Sequence, residues 1–411
     1  MDEARGRDLV SAFRMESCAA AMTPRPATVE MLRRLVAFDT TSRDSNLALI
    51  HWVRDYLAGH GIASRLVHDE SGRKANLFAT IGANGAGGGI VLSGHTDVVP
   101  IDGQEWSSAP FAIEERDGRL YGRGTCDMKG FFAVALALVP EFAQIPLETP
   151  LHLAFSYDEE VGCLGVRRLL AELDAAGIKP AACIVGEPTH MEVVRAHKGK
   201  LSYRCHVRGF ECHSSLAPRG VNSVEYAAAI IAHLTGMGRR FAAEGPFDHE
   251  FDIAHTTVHV GTIQGGTALN IVPKDCRFDF EFRHLPGEDP EAMLRAAQGF
   301  AERELLPAMR AVHADTGFRW EKLSSFPAAD TSEDAEIVSL AKRATGRNAA
   351  GKVAFGCEAG LYDAAGIPTV ICGPGHIDQA HKPDEFVALA QLAECEAFLR
   401  RVASAASGTA L

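Results

Sequence analysis

Histidines and carboxylates recur at a few places where they could do chemistry. His95-Thr-Asp97 ends the apolar run that starts at Gly89, and Asp127 lies in Gly122-Arg-Gly-Thr-Cys-Asp-Met-Lys-Gly130, ahead of an apolar stretch. Glu159 and Glu160 follow Leu151-His-Leu-Ala-Phe-Ser156, Glu187 follows Ala182-Cys-Ile-Val185, and His381 lies beyond Thr369-Val-Ile-Cys372. Taken singly, each has a plain structural reading. His95-x-Asp97 and Tyr157-Asp-Glu-Glu160 read as solvated loops, and Asp127 reads as an acidic helix cap. Taken together they follow strands, and ligands of open α/β sheets sit beyond the carboxyl ends of strands.

His95, Asp127, Glu160, Glu187 and His381 supply nitrogen and oxygen donors and no thiolate. That set suits two divalent ions, zinc first, with cobalt and manganese also accommodated. One carboxylate must bridge the pair, and Asp127 is the natural choice. Three carboxylates against two divalent cations leave one net positive charge. This favours a hydroxide, since metals lower the pKa of bound water from ~15.7 toward ~7. Glu159 then stays free to take a proton from water and deliver it to a leaving nitrogen. On an extended chain residues i and i+2 face one side, so Asp97 can accept the second imidazole N–H of His95.

These positions need a sheet to converge. Helices are expected between residues 27 and 61, the second over Ser45–His60 with Leu49, Val53 and Leu57 on one face. Strands are expected at Asn76–Ile81, Gly89–Asp97, Leu151–Ser156, Ala182–Val185 and Thr369–Cys372, with helices at Met128–Phe142, Leu164–Ala175 and Asp384–Ala403. The alternation predicts an α/β layer with a mostly parallel sheet flanked by helices. From Lys200 the pattern changes to half-exposed strands at Leu201–Arg208, Thr256–Ile263 and Cys276–Arg283, with helices at Val221–Leu234 and from Pro290 to about Leu305. This predicts an inserted α+β two-layer domain over residues 200–309, between residues 27–199 and 310–411 of the larger domain.

Bulk properties exclude several classes. A chain of 411 residues exceeds one ordinary core, so about two domains are expected. A formal net charge of −12 argues against nucleic acid as the main partner. The apolar stretches fall short of the about 20 residues a membrane span needs. Ten cysteines without a CxxC pair read as reduced thiols of a cytoplasmic protein. Residues 1–26 carry mixed charge without a long apolar segment, which reads as a disordered tail or as residues before a start at Met22, and not as a secretory signal.

The five motifs, in this order, resemble the M20 family of dizinc metallopeptidases, which includes aminoacylases, desuccinylases, deacetylases and carboxypeptidases. The resemblance implies that His95, Asp127 and Glu187 hold one zinc and Asp127, Glu160 and His381 the other, with Asp97 supporting His95 and Glu159 as base. It implies that the inserted domain forms a homodimer interface and closes over the metals. His213, in Gly209-Phe-Glu-Cys-His213, would polarise the scissile carbonyl from the partner subunit. Asn270 would contact substrate, and Arg283 would hold the substrate carboxylate, a task that suits a planar guanidinium. The wording is most similar to the acetylornithine deacetylase branch in Ala154–Gly165, Phe355–Leu361 and Cys372–Glu385. That implies N2-acetylornithine as substrate, ornithine and acetate as products, and a place in arginine biosynthesis. Glu358 would recognise a cationic amine or cap the following helix. Phe131-Phe132 and Cys357 depart from the wording of relatives. The former would tighten helix packing, and the latter stands beside the substrate.

Rival substrates are succinyl-diaminopimelate, other N-acyl amino acids and C-terminal peptide bonds. A non-catalytic metal-binding protein of the same fold is a different class. Nucleotide binding is disfavoured, because the glycine runs at Gly85–Gly89 and Gly122–Gly124 form neither GxGxxG nor a Walker A loop.

Overall fold

The computed structural model describes residues 23–82 and 88–408. The expected tail falls outside this range up to Met22, as do residues 83–87, which include the start of the first glycine run. The helix Pro26–Val36 opens with proline at its first turn, where no N–H partner is lost.

Strand periodicity builds the larger domain. In Ile90–His95, Ile90 and Leu92 join one apolar cluster and Val91 another. The same division separates Leu151, Leu153 and Phe155 from Ala154, as a period of two requires when both sheet faces are covered. Helices Pro26–Val36, Leu47–Gly59, Lys129–Phe142, Glu336–Thr345 and Leu389–Ala406 cover the first face. Leu164–Ala175 and Ala359–Ala364 cover the second. The sheet runs Ser64–His68, Ala75–Ile81, Leu151–Ser156, Ile90–His95, Ala182–Pro188, Thr369–Gly373, Val194–His197, Ala329–Asp330. Its four central strands are parallel and its margins antiparallel, except that Gly351–Val353 pairs parallel with Val194–His197, so the mixed α/β fold has a mostly parallel centre.

Phe131 and Phe132 seat the central helix on this sheet. A Cβ at Gly186 would lie 2.0 Å from the Phe131 ring, and one at Gly94 would lie 2.7 Å from the Phe132 ring. Each glycine directly precedes an expected metal ligand, Glu187 or His95. The helix that follows Asp127 is thereby fixed against two strand ends that carry ligands.

The smaller sheet has the antiparallel order Thr257–Gly265, Asp275–His284, Gly199–Arg208, Gly317–Phe326. Ser223–Glu244 and Pro290–Phe300 pack on its apolar face through Ala227, Ile230, Leu234, Leu294 and Ala297, against Phe278, Phe280 and Phe282. The expected return at residue 310 is too early, because Gly317–Phe326 is an edge strand of this sheet. A register shift between Lys322 and Ser324 breaks its alternation and hides it from a period-two reading. The closing helix begins at Leu389, not Asp384: Phe386–Ala388 is a strand paired with Arg119–Tyr121. Among the described residues no helix is long and apolar enough to cross a membrane.

Candidate metal centre

Three of the four central strands, Leu151–Ser156, Ile90–His95 and Ala182–Pro188, lead to or contain Glu160, His95 and Glu187. The fourth, Thr369–Gly373, leads toward His381. Their adjacency brings distant residues to one edge. His95 Nε2 lies 3.0 Å from Asp127 Oδ1 and 3.7 Å from Glu187 Oε1. His381 Nε2 lies 3.1 Å from Asp127 Oδ2 and 3.1 Å from Glu160 Oε2. The two triads share Asp127, one oxygen to each, which is what a bridging carboxylate requires. Donors bound at about 2.0–2.2 Å to one ion stand roughly 3.3 Å apart, so the spacings and the all-nitrogen-and-oxygen chemistry fit a pair of small divalent ions. Donor atoms of His95, Glu159 and Glu187 also gather within 4.8 Å of one another.

The charges at this edge are crowded and suit such cations. Burial, then the neighbouring acids Glu160, Asp97 and Asp127, push the Glu159 carboxyl up to about 8 against the pull of His95. Burial and Asp127 raise Glu160 to about 6, and Glu187 rises well above its ordinary range for the same reasons. Hydrogen bonds to Asp127 and Glu160 raise His381 to about 11. Burial would lower His95, but its hydrogen bond to Asp127 and the nearby Asp97 and Glu187 carboxylates raise it well above its usual value. Burial would lift Asp127 too, yet its two histidine partners hold it well below the carboxylate range. Two divalent ions would replace the two imidazolium protons and relieve the crowded acids.

His95 Nδ1 is 2.8 Å from the Asp97 main-chain carbonyl and 3.6 Å from its carboxylate, so both parts of Asp97 face that ring nitrogen. The carboxylate also accepts Ser42 Oγ at 2.7 Å and the main-chain N–H groups of Glu159 at 3.0 Å and Glu160 at 3.3 Å. It therefore anchors the acid loop. Lys74 Nζ ties Asp158 to the Ser42 carbonyl on the other side of that loop.

Glu385 carries a role that sequence reasoning left unassigned. It is buried and accepts N–H groups of Gly124 (3.1 Å), Cys126 (2.9 Å) and Asp127 (3.0 Å), with Arg123 Nη1 at 2.7 Å. Arg123 also donates to Gln104, whose amide donates at 2.9 Å to the His381 carbonyl. This network fixes Asp127 relative to His381, which faces solvent with 52% of its side chain exposed. Its only signal in the sequence was an acid beside Phe386 shortly after His381.

The remaining expected residues lie elsewhere. His213 is exposed, and its Nδ1 accepts the Ser215 N–H at 3.2 Å, capping the short helix Ser214–Arg219. Asn270 is exposed on the adjoining loop, and its carbonyl accepts the Ser214 N–H at 3.0 Å. Arg283, on the small sheet, donates to Glu281 at 2.9 Å. Within one chain none of the three has a hydrogen bond or ion pair to the triads. Glu358 is 0% exposed, and it accepts Ser93 Oγ at 2.6 Å and Ser156 Oγ at 2.7 Å. It makes no side-chain cap on its helix, so that expectation is corrected: the two strand-end hydroxyls compete successfully for its oxygens. Cys357 is buried beside it, and Phe131 and Phe132 are fully buried as the packing reading expected.

Known proteins resemble this chain over most of its length. The model of the family described as Peptidase family M20/M25/M40 matches residues 91–405. The acetylornithine deacetylase of Myxococcus xanthus is 37% identical over 388 residues, covering 92% of this chain and 96% of that protein. The acetylornithine deacetylase of Proteus mirabilis (strain HI4320) is 33% identical, covering 89% of this chain and 93% of its own length. Among solved structures, an M20 family metallo-carboxypeptidase from Sulfolobus solfataricus superposes with a TM-score of 0.75 at 17% identity, over 93% of this chain and all (100%) of the other. A dinuclear metal binding peptidase of the M20 family from Bacillus subtilis has a TM-score of 0.62 at 17% identity, covering 93% and 98%.

Proposed function

The chain belongs to peptidase family M20/M25/M40 and is a hydrolase of that family, and from this premise we propose that it deacylates an N-acyl amino acid, N2-acetylornithine first. The observation that carries the reaction class is Glu159, a carboxylate next to Glu160 that lies within 4.8 Å of His95 and Glu187 but makes none of the histidine ion pairs of the double triad. The substrate choice is supported by similarity to acetylornithine deacetylases at 33–37% identity over most of the chain.

His95, Asp127 and Glu187 would hold one divalent ion and Asp127, Glu160 and His381 the other, with zinc preferred. The pair would polarise the amide carbonyl and acidify water. Glu159 removes a proton from the attacking water and returns it to the departing nitrogen. Asp97 fixes the main chain of Glu159, and Glu385 that of Asp127. His213, supplied by the partner in a homodimer built through the small domain, donates to the developing oxyanion. Arg283 exchanges Glu281 for the substrate carboxylate, and Asn270 lines the same approach. Glu358 favours a cationic substrate from behind the triads, by charge and not by contact. The reading places the enzyme in the cytoplasm and in arginine biosynthesis. Buried free thiols, eight of nine among the described cysteines, suit a reducing compartment.

The test is metal analysis together with amine release from N2-acetylornithine, succinyl-diaminopimelate, other N-acyl amino acids and C-terminal dipeptides. Two ions per chain and fastest release from acetylornithine are expected. Preference for another member of the panel overturns the substrate, and a metal-loaded protein inert on all of them overturns the reaction class.

A further inference from the structure

The loop that carries Glu159 is closed by Cys163. The Glu159 carbonyl accepts the N–H groups of Gly162 and Cys163, both at 2.8 Å, and the Gly165 N–H donates to the Tyr157 carbonyl at 3.0 Å. Gly165 admits no side chain, since a Cβ there would meet the Tyr157 carbonyl at 2.3 Å. Within this closed turn Cys163 holds φ 54° and ψ 48°, a left-handed conformation that is costly to any residue with a Cβ and free to glycine. Neighbouring Gly162 also has positive φ, so the turn already uses glycine where only the backbone matters. Strained backbone persists only where the surrounding structure holds it, and such strain clusters at functional sites.

Its thiol lies 3.2 Å from Glu159 Oε1, with S–H as donor. Cys163 is 1% exposed and belongs to the same apolar cluster as Phe78, Val166 and Phe326, so its thiol is shielded from water. Cys357, the other thiol nearby, is engaged differently: its sulfur accepts the Ala359 N–H at 3.5 Å.

We infer that Cys163 is a positioning residue for Glu159, holding one carboxylate oxygen so that the other faces the water to be deprotonated. The inference rests on Glu159 being the base. A thiol suits the task because it is neutral. A lysine or arginine donor would depress the basicity of Glu159 through its charge, whereas a weak neutral donor fixes the rotamer and leaves the proton affinity in place.

The experiment compares Cys163→Ala, Cys163→Gly and Cys163→Ser in the metal-loaded full chain, using whichever member of the substrate panel the unmodified enzyme turns over fastest. Loss of the donor in Cys163→Ala and Cys163→Gly is expected to lower kcat by about five- to tenfold with KM and metal content unchanged. Cys163→Ser, which restores a donor, should recover to within about threefold. Cys163→Gly should melt no lower than Cys163→Ala, because glycine relieves the left-handed backbone, and yet be equally slow. A purely structural role predicts instead that kcat follows stability. Should Cys163→Ala not fold, Cys163→Gly carries the same test. Full kcat in either donorless variant overturns the inference. Glu159→Gln is assayed alongside: if it is inactive while Cys163→Ala is fully active, only the thiol's role falls, and if it turns over normally, the base assignment falls and the thiol's role with it.

Discussion

The metal triads and the His213–Asn270–Arg283 group differ in how they are held. Every triad member is fixed by strand ends, by Phe131 and Phe132 beneath Gly186 and Gly94, by the Asp97 carboxylate, or by the Glu385 network. His213 and Asn270 sit on exposed loops, and Arg283 is bound to Glu281. The triads are complete within one chain. On the proposed mechanism, the small-domain group would meet them through domain closure or a second chain. Proteins build the groups that bind ions on rigid scaffold and leave to mobile parts those that must open for substrate.

The largest break in this comparison should come from Glu159→Ala, with kcat falling about 10²–10⁴-fold while both metals and the melting temperature persist. Steady-state rates with metal analysis check this. Normal rates would remove Glu159 from its role. Next, Glu385→Ala leaves the buried Arg123 unpaired and frees the main chain of Asp127. A loss of about 3–5 kcal/mol of stability is expected, with metal affinity weaker by about 10–100-fold. Denaturant titration and metal competition measure the two.

His213→Ala should sharpen the contrast by slowing kcat about 10²–10³-fold without touching metal content or stability. If the residue acts across a dimer, mixing His213→Ala with Glu159→Ala subunits restores about a quarter of the activity, because half the assemblies then carry one intact site. Two inactive parents with an inactive mixture would place His213 in its own subunit's site.

The smallest effect concerns pH in the metal-stripped protein. His381, raised to about 11 in the fold, binds a proton that the unfolded chain has released, so it stabilises below about 6.5 and that contribution fades as pH rises toward 11. Glu159, raised to about 8, has the same sign between its ordinary range and 8. The stripped protein should therefore melt lower at pH 9 than at pH 6, and metal loading should flatten the difference. Equal slopes in scanning calorimetry would refute the crowding of charge at this edge.

The sequence by itself determined the chemistry and most of the scaffold. Nitrogen and oxygen donors after apolar strands specify a cation site by type, and the two periodicities specify helix and strand because burial of one face enforces them. Tertiary structure alone decided which atoms meet. The Asp97 carboxylate also holds the acid loop, since Ser42 and two N–H groups from distant segments donate to it. Glu385 acquired its partners only when residues 123–127 came to lie against it. The strand Gly317–Phe326 was hidden by a register shift that has no signature in composition. Spacing along a chain reports what a residue can do, whereas selection among equally capable partners is a matter of distance in space, which the folded core sets.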